Sequence, residues 1–376
     1  MELYYIHSGQ IDSQSPSMSF ILNRIKGFEK SKIKIKFILS IKKKIKLNKV
    51  LCEKYNVENK FKYVEIQLVK IKNQRDFYRK IKNILKNNSK EKKIILTRTI
   101  GLIPSLMRTK KKYNSKIYYE SHDFFYDLKL RKDIKRYKKT RQNIIEKIYF
   151  KKLNGLVCVS EAQKKLYEKY LNIPIKAIPC GMDKVEIQNE DKENILAYIG
   201  SLDIHKGIDN IISIVKILPE TYKILIIGGK NKQEIEELNQ KLRDEKIIDK
   251  VKITGWVNKK ELKNYLKKVK VGLVPLVDNF FNRYLTSPLK IYDFMLYGIP
   301  VIASDFPTIR EFIIDKKTGY LFDWKDEKKI KEIIETIENP LHYKKIIDEN
   351  KKNGKRLENS KKSMELFEFL ISSTDK

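Results

Sequence analysis

The sequence contains few cysteines and no long apolar run, and no export signal is recognisable in its residues. Its three cysteines, Cys52, Cys158 and Cys180, are an odd number and lack the spacing of a metal site or a disulfide framework. No apolar stretch reaches the roughly 18 residues that a membrane-spanning helix needs. The first segment, Met1–Ser8, lacks the charged-then-apolar order of a signal peptide. These absences predict a protein of the reducing cytoplasm.

Motifs that hold divalent metal ions are also missing. The chain has no Asp-x-Asp motif, and its His, Cys and carboxylate residues do not cluster at metal-ligand spacing. We therefore expect no cofactor and no bound metal. The negative charge of a phosphate ligand would then be balanced by lysines and helix N-termini.

Acidic residues are scarce in the first half of the chain. Residues 1–180 carry 45 Lys and Arg against 15 Asp and Glu, whereas residues 181–376 carry 36 against 32. A general bias toward lysine accounts for part of the net charge of +34, but it would not remove acids from one half alone. The asymmetry favours a basic surface that meets an anionic partner, either a membrane leaflet or nucleic acid. A solvated surface that only aids solubility is the alternative. Positive residues are densest at Lys42–Lys44, Lys110–Lys112 and Lys129–Arg141.

The order of apolar patterns predicts two α/β domains, since the chain is too long for one compact core. Short β-branched runs alternate with longer helical periodicities, which is typical of a parallel sheet. Strands are predicted at Leu3–Ile6, Ile33–Leu39, Tyr63–Gln67, Ile94–Thr97, Ile117–Ser121, Gly155–Val159, Ile175–Ile178, Ile195–Ile199, Tyr222–Ile227, Val251–Thr254, Val271–Pro275 and Val301–Ser304. Helices are predicted at Met18–Glu29, Ser160–Tyr170, Gly207–Leu218, Lys232–Arg243, Lys259–Lys268 and, as a terminal helical stretch, Pro340–Ile371.

A polar, charged segment, Pro179–Asn194, separates the two series and is predicted to be an interdomain hinge. We therefore expect two doubly wound, Rossmann-like domains facing each other across a cleft, at residues 1–180 and 181–350. A C-terminal helix over 351–376 is expected to pack back toward the first domain. Ligands of such sheets bind beyond the carboxyl ends of the strands.

The segment from Ser287 to Gly298 is the most informative motif. Ser287 suits a helix N-cap, Pro288 suits the first helical position, and Gly298 suits the helix end. The helix start would follow the strand Val271–Pro275 and its loop, so its free N–H groups would face a ligand site. Lys290 and Asp293 lie on its first turns. A well-capped structural helix with a solvated lysine and aspartate is the alternative, and geometry alone does not decide.

A second motif runs from Gly200 to Gly207. It ends a strand, turns on Gly200, passes Ser201 and opens a helix after Lys206 and Gly207. Such a loop lets the backbone approach phosphates while the lysine neutralises them. One loop of this kind is weakly specific, but two phosphate-suited helix starts in one α/β half are much less expected by chance.

These segments resemble the retaining glycosyltransferases of family 4, which have the GT-B fold. The resemblance extends through Leu156–Glu161, Ile178–Asp183, Tyr198–Gly207, Ile226–Gly229, Ile253–Val257 and the helix with Lys290 and Asp293. It implies a UDP- or GDP-linked sugar on the second domain. Lys206 would hold the diphosphate, Asp293 the ribose, and the backbone around Trp256 and Val257 the base. The implied donor-binding residues are Gly9, Gly200, Ser201, Lys206, Gly255, Trp256, Val257, Thr286, Ser287, Lys290 and Asp293.

His122 is the predicted catalytic residue of the first domain. It follows the strand Ile117–Ser121 and precedes an aromatic-rich loop. A lone histidine is more often a hydrogen-bonded structural residue, but the resemblance implies that this one contacts the donor sugar. The loop Ser8–Gln10 matches a glycine loop that such enzymes bring close to the donor phosphate and the acceptor. A turn glycine without a ligand is the competing interpretation of Gly9.

Two positions depart from the family pattern. The family commonly has a carboxylate eight positions before Asp293, where this chain has Leu285. Contacts to the hydroxyls of the donor sugar are therefore in doubt. Ser201 stands where many relatives have an arginine beside the diphosphate, and Lys290 is expected to compensate for that charge.

The resemblance implies a retaining, metal-independent transferase that moves a hexose-type sugar to a glycan or lipid-linked acceptor in cell-surface polysaccharide synthesis. The basic first domain would bind the acceptor and lie peripherally at the anionic inner face of the membrane. Three alternatives stay open: a sugar-nucleotide epimerase of the same fold, an inactive relative that only binds nucleotide, and a basic nucleic-acid-binding protein. A recognition-helix motif or aromatic stacking sheet is not visible, so nucleic acid is not an expected partner.

Overall fold

The chain folds into two compact units, each built around one parallel β-sheet. The computed structural model describes residues 1–13, 15–55, 57–58, 60–87, 91–184, 192–203, 206–229, 231–324 and 326–372. The first unit comprises Met1–Gly181, Arg283–Ser287 and Leu357–Lys376, and the second comprises Met182–Asn282 and Pro288–Arg356. The prediction of two parallel-sheet α/β units is confirmed.

The first unit alternates strands and helices along the chain. Its elements are β1 (Glu2–Gln10), α1 (Pro16–Lys30), β2 (Ile35–Ile41), α2 (Leu47–Tyr55), β3 (Val64–Lys70), α3 (Gln74–Asn87), β4 (Lys93–Thr97), α4 (Ile103–Thr109), β5 (Ser115–Ser121), α5 (Thr140–Tyr149), β6 (Gly155–Cys158), α6 (Glu161–Glu168) and β7 (Ile175–Ala177). The strands pair in parallel in the order β3-β2-β1-β4-β5-β6-β7.

The second unit repeats this plan, with six strands among its described residues. Its elements are β8 (Glu193–Ile199), α7 (Ile208–Ile217), β9 (Lys223–Ile227), α8 (Lys232–Asp244), β10 (Val251–Ile253), α9 (Lys259–Lys268), β11 (Val269–Val274), α10 (Phe280–Tyr284), α11 (Leu289–Leu296), β12 (Val301–Ser304), α12 (Pro307–Arg310), β13 (Gly319–Phe322), α13 (Glu327–Glu338) and α14 (Pro340–Lys355). The parallel strands run in the order β10-β9-β8-β11-β12-β13. The last helix of the chain, α15 (Asn359–Ser372), belongs to the first unit.

Helix α15 packs against α1 at a glycine. A Cβ atom on Gly27 would lie 2.1 Å from Ser363 Oγ and 2.3 Å from the backbone oxygen of Asn359. Tyr118 of β5 donates its hydroxyl to the Leu370 carbonyl (3.0 Å). The terminal helix is thereby part of the core of the first unit, together with the strands beneath it.

Each sheet has a point where its order of growth reverses. In the first sheet this point lies between the neighbours β1 and β4, and in the second it lies between β8 and β11. Side chains and backbone beyond the carboxyl ends of such strands line the ligand sites of doubly wound sheets. The segments that follow β1, β4, β8 and β11 are therefore the expected ligand sites.

Most predicted elements are confirmed, several to within two residues, such as α9 and β12. Strand β13 and helix α13 were not predicted, whereas α2, α3 and α5 lie between predicted strands, where helices were expected without stated bounds. The predicted helical stretch Pro340–Ile371 is two helices, α14 and α15, because Arg356 caps the first of them. Residues 185–191 of the predicted hinge lie outside the described residues.

Another sequence interpretation is corrected at the end of β1. Ser8–Gln10, predicted as a loop, belongs to the strand, because Gln10 pairs with Ser40 of β2 after a register irregularity that begins at His7. Ser40 Oγ also donates to the Ser8 carbonyl (2.7 Å).

Replacing Gly207 with alanine is expected to destabilise the second unit. Gly207 precedes α7 with φ +81°, and an added Cβ would lie 1.5 Å from the Pro275 carbonyl oxygen after β11. We expect Gly207→Ala to lower the free energy of unfolding by about 2 kcal/mol or more, measured by urea denaturation. Ser213→Ala, at an exposed position of α7, is the matched control. Equal midpoints for the two variants would contradict the packing described.

Candidate functional site: two strand-end sites

Three glycines bring the ends of β8, β9 and β10 together. The Gly200 amide donates to the Ile227 carbonyl (3.0 Å), and Gly228 forms a backbone bridge with Gly255. A Cβ on Gly228 would lie 1.8 Å from the Gly200 oxygen. Only glycine therefore allows these turns to pack so closely.

Two predicted lysines approach this glycine turn from different elements. Lys290 Nζ, on the first turn of α11, lies 4.0 Å from the ring centroid of Tyr198. A Cβ on Gly200 would lie 3.5 Å from the same nitrogen. Lys206 Nζ lies 6.0 Å from the ring centroid of Phe281. The aromatic faces partly offset the loss of water around each ammonium group.

The two lysines lack full compensation by negative charge. Lys290 Nζ is buried, and within the described part of the chain it has no hydrogen-bond partner. Burial and the nearby charge of Lys206 lower the pKa of Lys290 to about 7. Burial also lowers the pKa of Lys206, with Asp203 acting in the opposite direction. Asp203 accepts a hydrogen bond from Ser201 Oγ (2.9 Å). The two lysines therefore place positive charge in one region of the second unit.

The helix starts beside the lysines have no side-chain caps. Helix α7 begins after Gly207, and α11 begins after Pro288, neither with a capping side chain. The prediction that Ser287 caps α11 is wrong: Pro288 takes the N-cap position with ψ 104°, so the helix begins one residue later than expected. Ser287 Oγ is buried and has no hydrogen-bond partner in the described ranges. Backbone N–H groups at such starts are donors for an external acceptor.

Asp293 and the Gly255–Val257 segment lie further along the same unit. Asp293 is half-buried on α11, and burial raises its pKa to about 6, against the opposing charge of Lys259 at the start of α9. Lys259 follows the turn that contains Trp256 and Val257. Trp256 is 62% exposed, so its indole is free of the core. The charge of Lys259, next to the turn predicted to hold a base, thus acts on the carboxyl group of Asp293.

The segment before α11 is assigned to the first unit by its contacts. Leu285 is 2% exposed, so the position of the missing family carboxylate is an apolar core position here. Thr286 is 6% exposed. Ser160 Oγ, the N-cap of α6, donates to the Tyr284 carbonyl (2.9 Å) and fixes the segment within this unit.

The other predicted residues, His122 and Gly9, lie in the first unit at its own strand ends. A cavity of about 380 Å³ opens there, lined by His7, Ser8, Gln74, Tyr78, Arg98, Thr99, Ile100, Gly101, Tyr119, His122, Asp123, Phe125, Lys139, Arg141, Gln142 and Ile145. His122 faces this cavity. Gly9 is not among the residues that line this cavity. The ring of His7 packs against Gly9, since a Cβ on Gly9 would lie 2.3 Å from His7 Nε2.

Both cavity histidines are neutral at pH 7. Burial, followed by the charge of Arg98, lowers the pKa of His7 to about 3. The same two causes, with His7 as a third, lower the pKa of His122. The His122 residue is exposed at the surface, whereas His7 is 9% exposed. Neutral imidazoles suit hydrogen bonding to sugar hydroxyls.

Sequence patterns alone missed several residues at these sites. Tyr198 and Phe281 look like ordinary core aromatics, and only the fold places their rings beside the lysines. Arg98 follows β4 without a motif. His7 could have been found, because it lies near the end of the first strand of a sheet whose strand ends form a site.

The described ranges contain neither a metal-binding cluster nor a membrane-spanning helix. No group of three or more His, Cys, Asp or Glu side chains there is arranged to hold a metal ion. None of the helices in those ranges combines the length and apolar character needed to cross a bilayer. The three cysteines are free thiols.

Comparison with protein families matches the second unit. Residues 182–353 match the family model described as Glycosyl transferases group 1. An uncharacterized 41.2 kDa protein in the cps region of Klebsiella pneumoniae is 28% identical over 250 residues, which is 62% of this chain and 63% of that protein. The O-antigen chain mannosyltransferase RfbU of Salmonella typhimurium is 27% identical over 209 residues, 52% of this chain and 56% of that protein. The chain thus spans less than two thirds of the length of these relatives.

Comparison with solved structures defines the fold class. Sucrose-phosphate synthase from Thermosynechococcus elongatus superposes with a TM-score of 0.75 at 13% identity, covering 100% of both chains. Anabaena HepE in complex with UDP and glucose gives 0.75 at 12% identity, covering 99% of this chain and 100% of that one. These likenesses establish the fold, and it is the GT-B fold of Rossmann-like units, as predicted.

Removing the charge of Lys290 is expected to stabilise the ligand-free protein, most at low pH. Lysine in an unfolded chain has a pKa near 10.4, against about 7 in the fold. Between these pH values the unfolded chain therefore binds more protons than the folded protein. The buried charge lowers the free energy of unfolding by its full amount below about pH 7, and by less as the pH rises. Lys290→Met should add about 2 kcal/mol at pH 6 and less at pH 9, by urea denaturation.

The control for this prediction is Lys328→Met, at an exposed position of α13. It should change stability little at either pH. A gain in Lys290→Met that is the same at pH 6 and pH 9 would show that Lys290 is not a buried, charged group.

Proposed function

We propose that this chain is a glycosyltransferase that takes a sugar from a nucleoside-diphosphate donor held by its second unit. The observation that carries the proposal is the lysine pair, Lys206 and Lys290. Lys290 Nζ lies beside the glycine turn after β8 and is buried without a hydrogen-bond partner in the described ranges, and the charge of Lys206 acts on it. A pyrophosphate carries the charge and the acceptor oxygens that these groups lack.

The surrounding geometry supports a pyrophosphate rather than a single carboxylate. Two uncapped helix starts, of α7 and α11, add backbone donors and positive dipole ends to the two ammonium groups. Together they would stabilise the negative charge that develops on the departing nucleoside diphosphate. Lysines in these positions would do what a divalent ion does in metal-dependent enzymes. The reaction is therefore proposed to need no metal.

The rest of the donor is assigned along the same strand ends. The turn Gly255–Val257 would receive the base, and Asp293 would accept hydrogen bonds from the ribose. His122 of the first unit would donate to or accept from a hydroxyl of the transferred sugar. The bond between the sugar C1 and the β-phosphate oxygen breaks, and a bond to an acceptor oxygen forms on the same face. The acceptor proton passes to the departing phosphate. Bond formation on the face that the phosphate leaves conserves the anomeric configuration.

The names of the relatives suggest the setting of the reaction. One relative lies in a cps region and another is named as an O-antigen chain mannosyltransferase. Two structural neighbours hold UDP with glucose or GlcNAc. These names support transfer of a hexose-type sugar to a glycan or lipid-linked acceptor in surface polysaccharide synthesis, with UDP or GDP as the carrier.

Nucleotide binding tests the lysine pair directly. One of UDP and GDP should bind in the presence of EDTA, measured by isothermal titration calorimetry and thermal shift. Each charge-assisted hydrogen bond contributes about 1.5–3 kcal/mol, so Lys206→Ala and Lys290→Met should each weaken binding about tenfold or more. Lys328→Met is the matched control. Unchanged affinity in both site variants would refute the assignment.

Product analysis then separates the enzyme classes. A labelled donor incubated with acceptor should yield a glycoside of the donor's own anomeric configuration by NMR. A changed sugar nucleotide formed without any acceptor would indicate an epimerase. Tight nucleotide binding with neither product would indicate an inactive binding protein, for which the apolar Leu285 would be the first residue to examine.

Peripheral membrane binding is the second part of the proposal, and it is supported by one surface of the first unit. Tyr137, Ile144 and Ile148 are 72%, 49% and 46% exposed. They lie among exposed cations such as Lys138 and Lys147. Exposed apolar side chains within a basic surface suit an anionic bilayer, where each cation contributes about 1 kcal/mol.

Vesicle binding tests this surface. Ile144→Ser with Ile148→Ser should weaken binding to phosphatidylglycerol-containing vesicles by about tenfold, because the buried apolar area is lost. Ile314→Ser, at a 47% exposed position of the second unit, is the matched control. Binding to anionic vesicles should also fall steeply with salt. Equal binding to neutral and anionic vesicles would contradict the proposed binding to an anionic membrane. A salt-sensitive DNA gel shift would favour nucleic acid as the partner instead.

A further inference from the structure

The cavity of the first unit has an excess of positive charge at its floor. Arg98 is 5% exposed and lines the cavity, and its Nη1 reaches Glu120 Oε2 at 3.3 Å. The same carboxylate also takes two hydrogen bonds from Arg24, at 3.2 and 2.9 Å. Two buried guanidinium groups thus share one carboxylate. Arg98 Nε is buried and has no hydrogen-bond partner among the described residues.

The acidic side chains near the cavity do not neutralise this charge. Asp123, the one carboxylate among the lining residues that the structure describes, is already bound by Arg131. Arg131 also pairs with Asp133 (2.8 Å), so its guanidinium group is shared by two carboxylates. Glu146 accepts from Tyr167 and from the Phe125 amide, both at 2.9 Å, and burial raises its pKa well above the usual range. Burial thus disfavours the charged form of Glu146.

Two further cations lie on the cavity wall. Lys139 and Arg141 flank the start of α5 and line the cavity, with Lys139 Nζ 5.4 Å from the ring centroid of Phe125. Arg141 also acts electrostatically on Tyr78, another lining residue. The cavity therefore presents guanidinium and ammonium groups from two sides.

The cavity also holds unpartnered neutral groups. His7 Nδ1 and Gln142 Oε1 are buried, and neither has a hydrogen-bond partner in the described ranges. An amide oxygen and an imidazole nitrogen match sugar hydroxyls, which both donate and accept. The volume of about 380 Å³ lies near the lower end of the range for small-molecule sites. It suits one charged sugar unit better than a nucleotide.

We infer that this cavity binds an anionic sugar unit of the acceptor, with its phosphoryl or carboxylate group on Arg98, Lys139 and Arg141 and its hydroxyls on Gln142 and the histidines. The inference deepens the proposed function, because it states which class of acceptor the transferase takes. The anionic group is either the phosphate of a lipid-linked sugar or the carboxylate of an acidic sugar. A neutral glycan end would leave the buried guanidinium charge uncompensated.

Binding of small probes without nucleotide tests the inference. Glucose 1-phosphate and methyl glucuronide represent the two anionic sources, and methyl glucoside is the neutral probe, each titrated by NMR. At least one anionic probe should bind about tenfold more tightly than methyl glucoside, as expected for a charge-assisted hydrogen bond. The source with the tighter probe identifies the acceptor chemistry. Equal binding of all three, or no binding at millimolar concentration, would overturn the inference.

Matched variants locate the binding. Lys139→Gln and Arg141→Gln should each abolish the preference for the anionic probe, whereas Arg136→Gln, an exposed position of the same basic segment, should keep it. UDP and GDP affinity should not change in these variants, so a failed nucleotide site and a failed acceptor cavity give different results. A preference that survives in both cavity variants would contradict the assignment.

Discussion

The positive charges of Lys206 and Lys290 lie near the carboxyl end of the second sheet. Burial there disfavours the charged form of each side chain. Three glycines and two helix starts without a capping side chain at the N-cap lie in the segments around these lysines. Under the proposed function, a bound diphosphate would supply the oxygens that Lys290 lacks, and binding would offset the destabilisation caused by its buried charge.

The same topology places a second cationic site in the first sheet. Its strand order also reverses next to the first strand, where Arg98 follows β4, and His122 follows the neighbouring strand β5. The charge there comes from guanidinium groups that share Glu120, rather than from lysines over aromatic rings. Each unit thus has buried positive charge near the carboxyl ends of its strands, where doubly wound sheets bind their ligands.

Much of this could be predicted from the sequence, because strand and helix periodicities and the glycine turns are local signals. Lys206 and Lys290 were identified from helix-start patterns, and the fold brings both to the turn at Gly200. What could not be predicted depends on tertiary contacts. The ring of Tyr198 under Lys290 and the sharing of Glu120 by two arginines are set by strand pairing far apart in sequence. Ser287 was misassigned as a cap, because the conformation of Pro288 shifts the start of α11.

A crystal structure with bound nucleoside diphosphate, grown without divalent ions, tests the central claim most directly. The account predicts that the pyrophosphate oxygens lie within hydrogen-bond distance of Nζ of both Lys206 and Lys290 and of the backbone at the start of α7. A diphosphate bound elsewhere, or a Lys290 ammonium group paired with a carboxylate of the protein instead, would contradict it.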